Sequence, residues 1–465
     1  MATVASASDA AEPSTHDIRL VIGASSLGTV FEWYDFFIYG TLAASGIIGR
    51  TFFPAGNEVL QTLLAWAGFA VGFGFRPLGA IVFGFLGDRL GRKYTFLVTI
   101  SVMGVATAGV GLVPSYATIG MAAPVVVILL RIAQGLALGG EYGGAAIYVA
   151  EHSPAGRAGF YTSFIQASVV GGFILSLAVV LVSRGAVTAE AWDAWGWRIP
   201  FLFSIVLLAV SLWMRLKLSE SPVFRSMRAA GEMATNPFKE SFTYPGNIKR
   251  LMVALFGIAA GLTVIWYTAM FSVLAFLQGP MRIQETAAQL ITAAGALGGL
   301  VFFIATGALS DRIGRKPPIV VGYALTLVLL FPLFWLIGWG AGNGAGAAPG
   351  ETFVPSAAQT AVILAGILGL MALSGLTYGS VAALLSELFP PRIRYSSMSI
   401  PYHIGTGYFG GFLPLISAYV VAETGDAYAG LWYTWAVVAM ALLVTLWGLR
   451  ETHPGTGWPN ATGGR

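Results

Sequence analysis

Ten residues, GFLGDRLGRK at 84–93, return almost unchanged as GALSDRIGRK at 307–316, about half a chain later. Each copy is a short charged hinge between two long apolar runs. The segments flanking a hinge of this kind must stay together while the hinge itself stays in water. A hinge repeated at half-length in an apolar chain therefore predicts two similar helical bundles joined head to tail.

Composition fixes the solvent around those bundles. Only 10% of the 465 residues are charged and the mean hydropathy is +0.77, where a soluble chain would carry about 25% charge. Sixty glycines suit helices that approach closely in lipid. With no cysteine, thiolate chemistry, disulfides and cysteine metal sites are excluded, and no cofactor or metal is expected. The basic balance sits in short loops beside apolar segments, which argues for membrane orientation and against nucleic acid.

A spanning helix needs about 20 mainly apolar residues, and twelve segments qualify. They lie near 19–46, 58–86, 94–113, 119–149, 160–183 and 198–217, then 250–277, 286–309, 318–340, 358–385, 396–421 and 428–449. The expected organisation is a disordered tail at 1–17, a six-helix bundle at 18–217, a polar linker at 218–249, a second bundle at 250–450 and a tail at 451–465. Residues 1–17 lack the basic and apolar regions of a secretory signal. With both ends on the cytoplasmic side, nineteen Lys and Arg fall inside, and only Arg50, Arg184 and Arg282 fall outside. That bias satisfies the positive-inside rule.

Further echoes follow the hinges in the same order. Glu151 and Pro154 after span four return as Glu387 and Pro390 after span ten, each followed by arginine: Arg157 in the first half, Arg392 and Arg394 in the second. The acid of LSES at 218–221 returns in LRET at 449–452.

At this point the chain resembles the major facilitator superfamily, whose hinge motif G-x-L-x-D-R-x-G-R-K both copies match. The runs FEWYDFFIY (31–39), FRPLG (75–79), RIAQG (131–135), GGEYGG (139–144), WGWRIPF (195–201) and ELFPPRIRY (387–395) are similar to the metabolite:proton symporter family. That family includes shikimate, α-ketoglutarate, citrate and proline/betaine transporters. The resemblance spans 18–453. It implies an all-α membrane fold of 12 helices in two pseudo-symmetric six-helix bundles. It also implies a monomeric, proton-driven symporter of a small polar metabolite in a bacterial inner membrane. A facilitator or antiporter of the same fold is the alternative. Asp-rich metal runs and histidine clusters are missing, which speaks against a multi-span enzyme, and no nucleotide-binding loop supports an ATP-driven pump.

Ionisable groups at membrane depth are costly and point to function. Six stand out, all in the first half: Glu32, Asp35, Arg76, Arg131, Glu141 and Arg198. Glu32 and Asp35 are three residues apart on one helix face, with Tyr39 one turn on. Desolvation favours the neutral form of a carboxyl group, so Asp35 first and Glu32 second are the candidate coupling sites for the proton. Either acid could instead be the fixed partner of an arginine. Arg76, Arg198 and Arg131 have planar forks suited to a carboxylate. They could hold an anionic group or form a structural network with the acids. Gln134, Tyr39, Tyr142, Trp266 and Tyr378 are further candidate substrate contacts, though packing explains such residues equally well. His403 could serve proton traffic, or be a neutral core residue.

The hinges carry their own expectation. Asp88 and Asp311 begin or precede helices, where a carboxylate is favoured, and Arg92 and Arg315 lie in reach four residues later. Gly84, Gly91 and Gly314 permit the tight turn, and Arg89 and Arg312 complete the pattern. The resemblance adds that these loops, with Glu151, Arg157, Glu387 and Arg394, latch the two halves on the cytoplasmic face.

Overall fold

A computed structural model describes residues 15–90, 92–140, 142–154, 156–216, 237–344, 351–390 and 393–452. Side chains at 15–21, 24, 84, 85, 87–94, 96, 142–145, 148, 215 and 237 lie outside what is described. The expectations for both tails and for most of the 218–249 linker fall on undescribed residues.

Helices of membrane length follow the predicted order. In the first half they are Thr15–Ala44, Glu58–Phe83, Arg92–Leu112, Ala122–Gly139, Ala158–Gly185 and Arg198–Leu216. In the second they are Asn247–Gln278, Glu285–Ile313, Lys316–Gly340, Ala357–Leu388, Arg394–Thr424 and Leu431–Gly448. They are called spans one to twelve below. Nine of the described helices are long and apolar enough to cross a bilayer unaided, and a bent pair around span six makes a tenth. Span one carries Glu32 and Asp35, and the apolar part of span three is the shorter Leu97–Leu112.

Three differences from expectation have local causes. Span seven starts at Asn247, because the Asn247 amide donates to the Ser241 carbonyl at 2.7 Å and to Ser397 Oγ at 3.0 Å. Span four breaks after Gly139 and resumes at Tyr142. There it crosses span two so closely that a Cβ on Gly139 would lie 2.7 Å from the Ala80 nitrogen. Spans seven and eleven are interrupted by wide π-type turns at Val253–Ala259, Thr268–Ser272 and Gly405–Gly411. Such turns cost hydrogen-bond geometry and mark functional segments.

The halves meet along a seam made by two helix pairs. Span five packs along span eight, and span eleven packs along span two. These pairs exchange under the duplication, since spans two and five of the first half correspond to eight and eleven of the second. Small residues set the approach: a Cβ on Gly307 would lie 2.6 Å from the Gly159 carbonyl, and one on Gly407 2.9 Å from that of Phe73.

Candidate functional site

Arg76 lies on this seam. It opens the helical segment Arg76–Leu90 just after span two bends at Phe75. Its side chain is fully buried. The guanidinium donates from Nη1 to Thr406 Oγ1 of span eleven at 3.2 Å. It also sits over the Trp33 ring at 5.1 Å and the Phe73 ring at 5.3 Å. A cation at this depth is therefore shared between the two halves.

Beside it is a cavity of only about 10 Å³, lined by Trp33, Val169, Thr263, Trp266, Tyr267, Tyr378, Tyr402 and Thr406. That is room for about one water. Two sequence candidates from distant spans, Trp266 and Tyr378, meet here, and Tyr378 and Tyr402 share a hydroxyl contact of 2.6 Å. Among the described residues, Trp266 Nε1 and the Tyr267 hydroxyl are buried without a hydrogen-bond partner. A wall offering guanidinium, indole and phenol donors suits a ligand rich in acceptors. Trp33, Thr263, Tyr402 and Thr406 were missed by sequence reasoning. The signal for the last two was present in the P-x-x-x-G-x-G pattern of 401–407, which breaks span eleven at this level.

The other candidates separate. Arg131 is fully buried but turned into the first half. Nε donates to the Gly68 carbonyl at 3.3 Å, and Nη1 to the Phe36 carbonyl at 3.4 Å and Gln134 Oε1 at 2.5 Å. Its plane lies 4.2 Å from the Phe36 ring and 4.5 Å from Tyr39. Gln134 passes the chain on to Thr107 Oγ1 at 2.7 Å. Arg198 stands at the other end of the bundle, where Nη1 caps span three through the Gly111 and Val113 carbonyls, both at 2.7 Å. Asp35 is buried beside the Ser204 hydroxyl of span six, and Thr107 donates to its backbone carbonyl at 3.4 Å. Glu32 is buried on the same span. The candidates Glu141 and Tyr142 lie outside the described side chains.

Above the small cavity the seam is plugged by aromatic rings. Phe37 stacks on Trp266 at 5.1 Å, Phe69 meets Phe271 at 5.2 Å, and Phe73 meets Tyr267 at 5.4 Å. Beyond the plug a vestibule of about 580 Å³ opens at the end away from the hinges, with Trp66 and Phe271 at its floor. Among the described residues that line it, Glu285 carries the one charge, and it pairs across the seam with Arg184.

The hinge end is closed by ions. Asp311 accepts from the Gly159 and Phe160 N–H groups, both at 2.8 Å, and so caps span five of the opposite half. This corrects one expectation. Asp311 lies in the last turn of its own helix, Glu285–Ile313, and the N-terminus it serves belongs to the other bundle. Arg315 pairs with Asp311 at 2.6 Å and Glu387 at 2.9 Å. Burial opposes the charge on Arg315, but these two acids outweigh it and raise its pKa. Glu451 accepts from the backbone N–H groups of Arg315 and Lys316. Gly314 turns at φ +98°, with no room for a Cβ beside that Glu451 carboxylate. Across the seam, Arg394 pairs with Glu151 at 3.3 Å, and the Tyr395 hydroxyl donates to the Gly140 carbonyl at 3.0 Å. Arg157 and Arg312 are exposed. The corresponding expectations for Gly84, Asp88, Arg89, Gly91 and Arg92 fall on side chains outside those described, although the backbone places Asp88 inside the helical segment Arg76–Leu90.

Known proteins resemble this chain. The Sugar (and other) transporter family matches residues 20–254 and 225–456. The chain is 33% identical to the glycine betaine/proline/ectoine/pipecolic acid transporter of Dickeya dadantii over 94% of this chain and 84% of that one. It is 32% identical to the shikimate transporter of Escherichia coli, covering 91% of each. It is also 32% identical to the citrate-proton symporter of Klebsiella pneumoniae, covering 91% of this chain and 90% of that one. Among solved structures, a D-xylose-proton symporter superposes with a TM-score of 0.69 over 94% of this chain and 98% of that one. At 18% identity, that likeness speaks for the fold.

Proposed function

This chain belongs to the Sugar (and other) transporter family, and from that premise we propose that it carries a small carboxylate-bearing metabolite inward with protons. It is a secondary transporter of the major facilitator fold and not an enzyme. The observation that carries the substrate reading is Arg76, a fully buried guanidinium on the seam that touches the second half through Thr406. A carboxylate arriving there would meet a buried cation that already touches both bundles, and would bridge them.

The substrate is a monocarboxylate or a zwitterion. One guanidinium answers one carboxylate, and the rings of Trp33, Trp266 and Tyr267 suit the apolar or onium remainder. A vestibule whose charged lining residue, Glu285, is already paired with Arg184 has no net positive field to gather polyanions. Relatives named for glycine betaine, proline and shikimate fit this class.

In the proposed cycle the hinge face and both termini are cytoplasmic and the vestibule is periplasmic. The two bundles are the units at 18–217 and 250–450, and the transporter acts as a monomer in a bacterial inner membrane. Substrate displaces the aromatic plug and reaches Arg76. A proton on Asp35 or Glu32 removes a buried negative charge from the first bundle. Closing the periplasmic end then strains the latch at Asp311, Arg315 and Glu151, and the cytoplasmic end opens. The second bundle moves against the first about the pairs five with eight and two with eleven.

The test is uptake into proteoliposomes of labelled proline, glycine betaine, shikimate and citrate, with and without an imposed inward proton gradient. The expected result is gradient-stimulated uptake of a zwitterion or monocarboxylate, with citrate excluded. Uptake insensitive to the gradient for every compound would remove symport.

A further inference from the structure

Two donors in the wall of the small cavity have no part in the cycle above. Trp266 and Tyr267 are consecutive in span seven and end a regular stretch of helix, just before the wide turn Thr268–Ser272. Both are buried and both line the cavity. Their rings meet edge to face with centroids 5.0 Å apart. Among the described residues, neither Trp266 Nε1 nor the Tyr267 hydroxyl has a hydrogen-bond partner. Buried donors are normally satisfied, and leaving two unmade costs free energy that a ligand can recover.

The packing ties this pair to Arg76. Arg76 touches two residues that line the same cavity, Trp33 and Thr406. Thr406 lies on the wide turn Gly405–Gly411 of span eleven. Four residues on, Gly410 leaves space for span seven: a Cβ there would lie 2.9 Å from Tyr267 Cδ2 and against the Thr263 hydroxyl. The first half completes the ring, because Phe73 lies 5.3 Å from the Arg76 guanidinium and 5.4 Å from the Tyr267 ring. Guanidinium, indole and phenol therefore border one small space, the first from one half and the other two from the other.

We propose that the Trp266 indole and the Tyr267 hydroxyl hydrogen-bond a hydroxyl oxygen of the cargo, so that the substrate is a hydroxylated monocarboxylate. This rests on the reading of Arg76 as the carboxylate site. The faces of these rings accept an onium group, but their polar edges do not. A trimethylammonium group has neither a lone pair nor a proton to offer, and it would leave both donors orphaned. The ammonium of proline offers protons only, and the indole N–H is a donor only. A hydroxyl oxygen accepts from both. A site built to hydrogen-bond an oxygen rejects the analogue without it more strongly than an apolar pocket rejects an added hydroxyl. Tyr267 is thereby the specificity-determining residue of the second half, and Arg76 the anchor of the first.

The experiment uses the full chain in proteoliposomes with labelled shikimate, gluconate, proline and glycine betaine under an inward proton gradient. A hydroxylated acid should be transported, with Vmax/KM for proline and glycine betaine lower by at least about tenfold. The matching acid without hydroxyls, cyclohex-1-enecarboxylate for shikimate or hexanoate for gluconate, serves as an unlabelled competitor. In wild type its inhibition constant should exceed the KM of the hydroxylated acid by at least about tenfold. Tyr267→Phe keeps the ring and removes the hydroxyl. It should raise KM for the hydroxylated acid about threefold to tenfold, as for one neutral hydrogen bond, with Vmax within about twofold. Inhibition by the competitor should stay as in wild type. A packing role would shift substrate and competitor together. A wild-type KM in Tyr267→Phe, equal shifts for the two ligands, or a preference for proline or glycine betaine overturns the proposal. If proline or glycine betaine is preferred and Arg76→Ala abolishes its uptake, the carboxylate reading stands and this inference falls. If no compound is transported, both fall.

Discussion

Arg76 and Arg131 are both fully buried arginines of the first bundle, yet their settings differ in kind. Arg131 spends its fork on the carbonyls of Gly68, Phe36 and Phe69 and on Gln134, all within its own bundle. It ties spans one, two and four together. Arg76 reaches out of its bundle to Thr406, beside rings contributed by both halves. Burial alone therefore does not make a transport site. What matters is whether the buried charge faces an element that must move relative to it.

The largest expected effects separate these two residues. Arg76→Ala should lower uptake by about a hundredfold or more, given the ~3 kcal/mol or so lost when a buried charge-assisted contact is removed, with near-normal insertion. Arg131→Ala should instead cost about 3–5 kcal/mol of stability by orphaning buried groups, read as loss of folded protein on size exclusion. If Arg131→Ala folds normally but raises KM, the contrast breaks.

The next test moves to the latch. Asp311→Asn removes the charge that caps span five and pairs with Arg315. At about 1–2 kcal/mol for these contacts, uptake should fall roughly fivefold to thirtyfold while expression holds. Unchanged uptake would reduce the latch to a topology signal. Gly307→Val should act in the same direction, because a Cβ there meets the Gly159 carbonyl at 2.6 Å. Cross-linking between the hinge ends of spans five and eight should drop, and an unaltered yield would deny that the glycines set the seam. The smallest effect is expected for Arg198→Gln. Its fork caps span three at the rim away from the hinges, so KM should change less than about twofold. A large KM change would bring Arg198 back into the substrate site.

These contrasts explain what the sequence could and could not reveal. The spans, their order and the hinge pairing of Asp311 with Arg315 were legible because they rest on local patterns: apolar length, charge in loops and an i,i+4 spacing. The second partner of Asp311 was not, because its carboxylate crosses the seam to Phe160 of span five, 151 positions away in sequence. Trp266 and Tyr378 could be named as candidates, but their meeting point depends on how spans seven and ten pack. Arg131, Arg76 and Arg198 looked alike because sequence gives depth and charge without rotation about the helix axis. Trp33 and Thr406 were hidden for the same reason. Thr406 sits within the wide turn at Gly405–Gly411, and Trp33 meets Arg76 only in the folded packing of span one on span two.

The claim that cargo is handled at the seam, and not in the core of the charged bundle, is tested most directly by concentration-dependent uptake in Arg76→Lys and Arg131→Lys proteins. The two should be reconstituted at equal folded amounts, with the transported zwitterion or monocarboxylate. Lysine keeps each charge and removes the fork. The account predicts KM raised at least about tenfold for Arg76→Lys, with Arg131→Lys close to wild type once folded protein is matched. A wild-type KM for Arg76→Lys together with a raised KM for Arg131→Lys would contradict it.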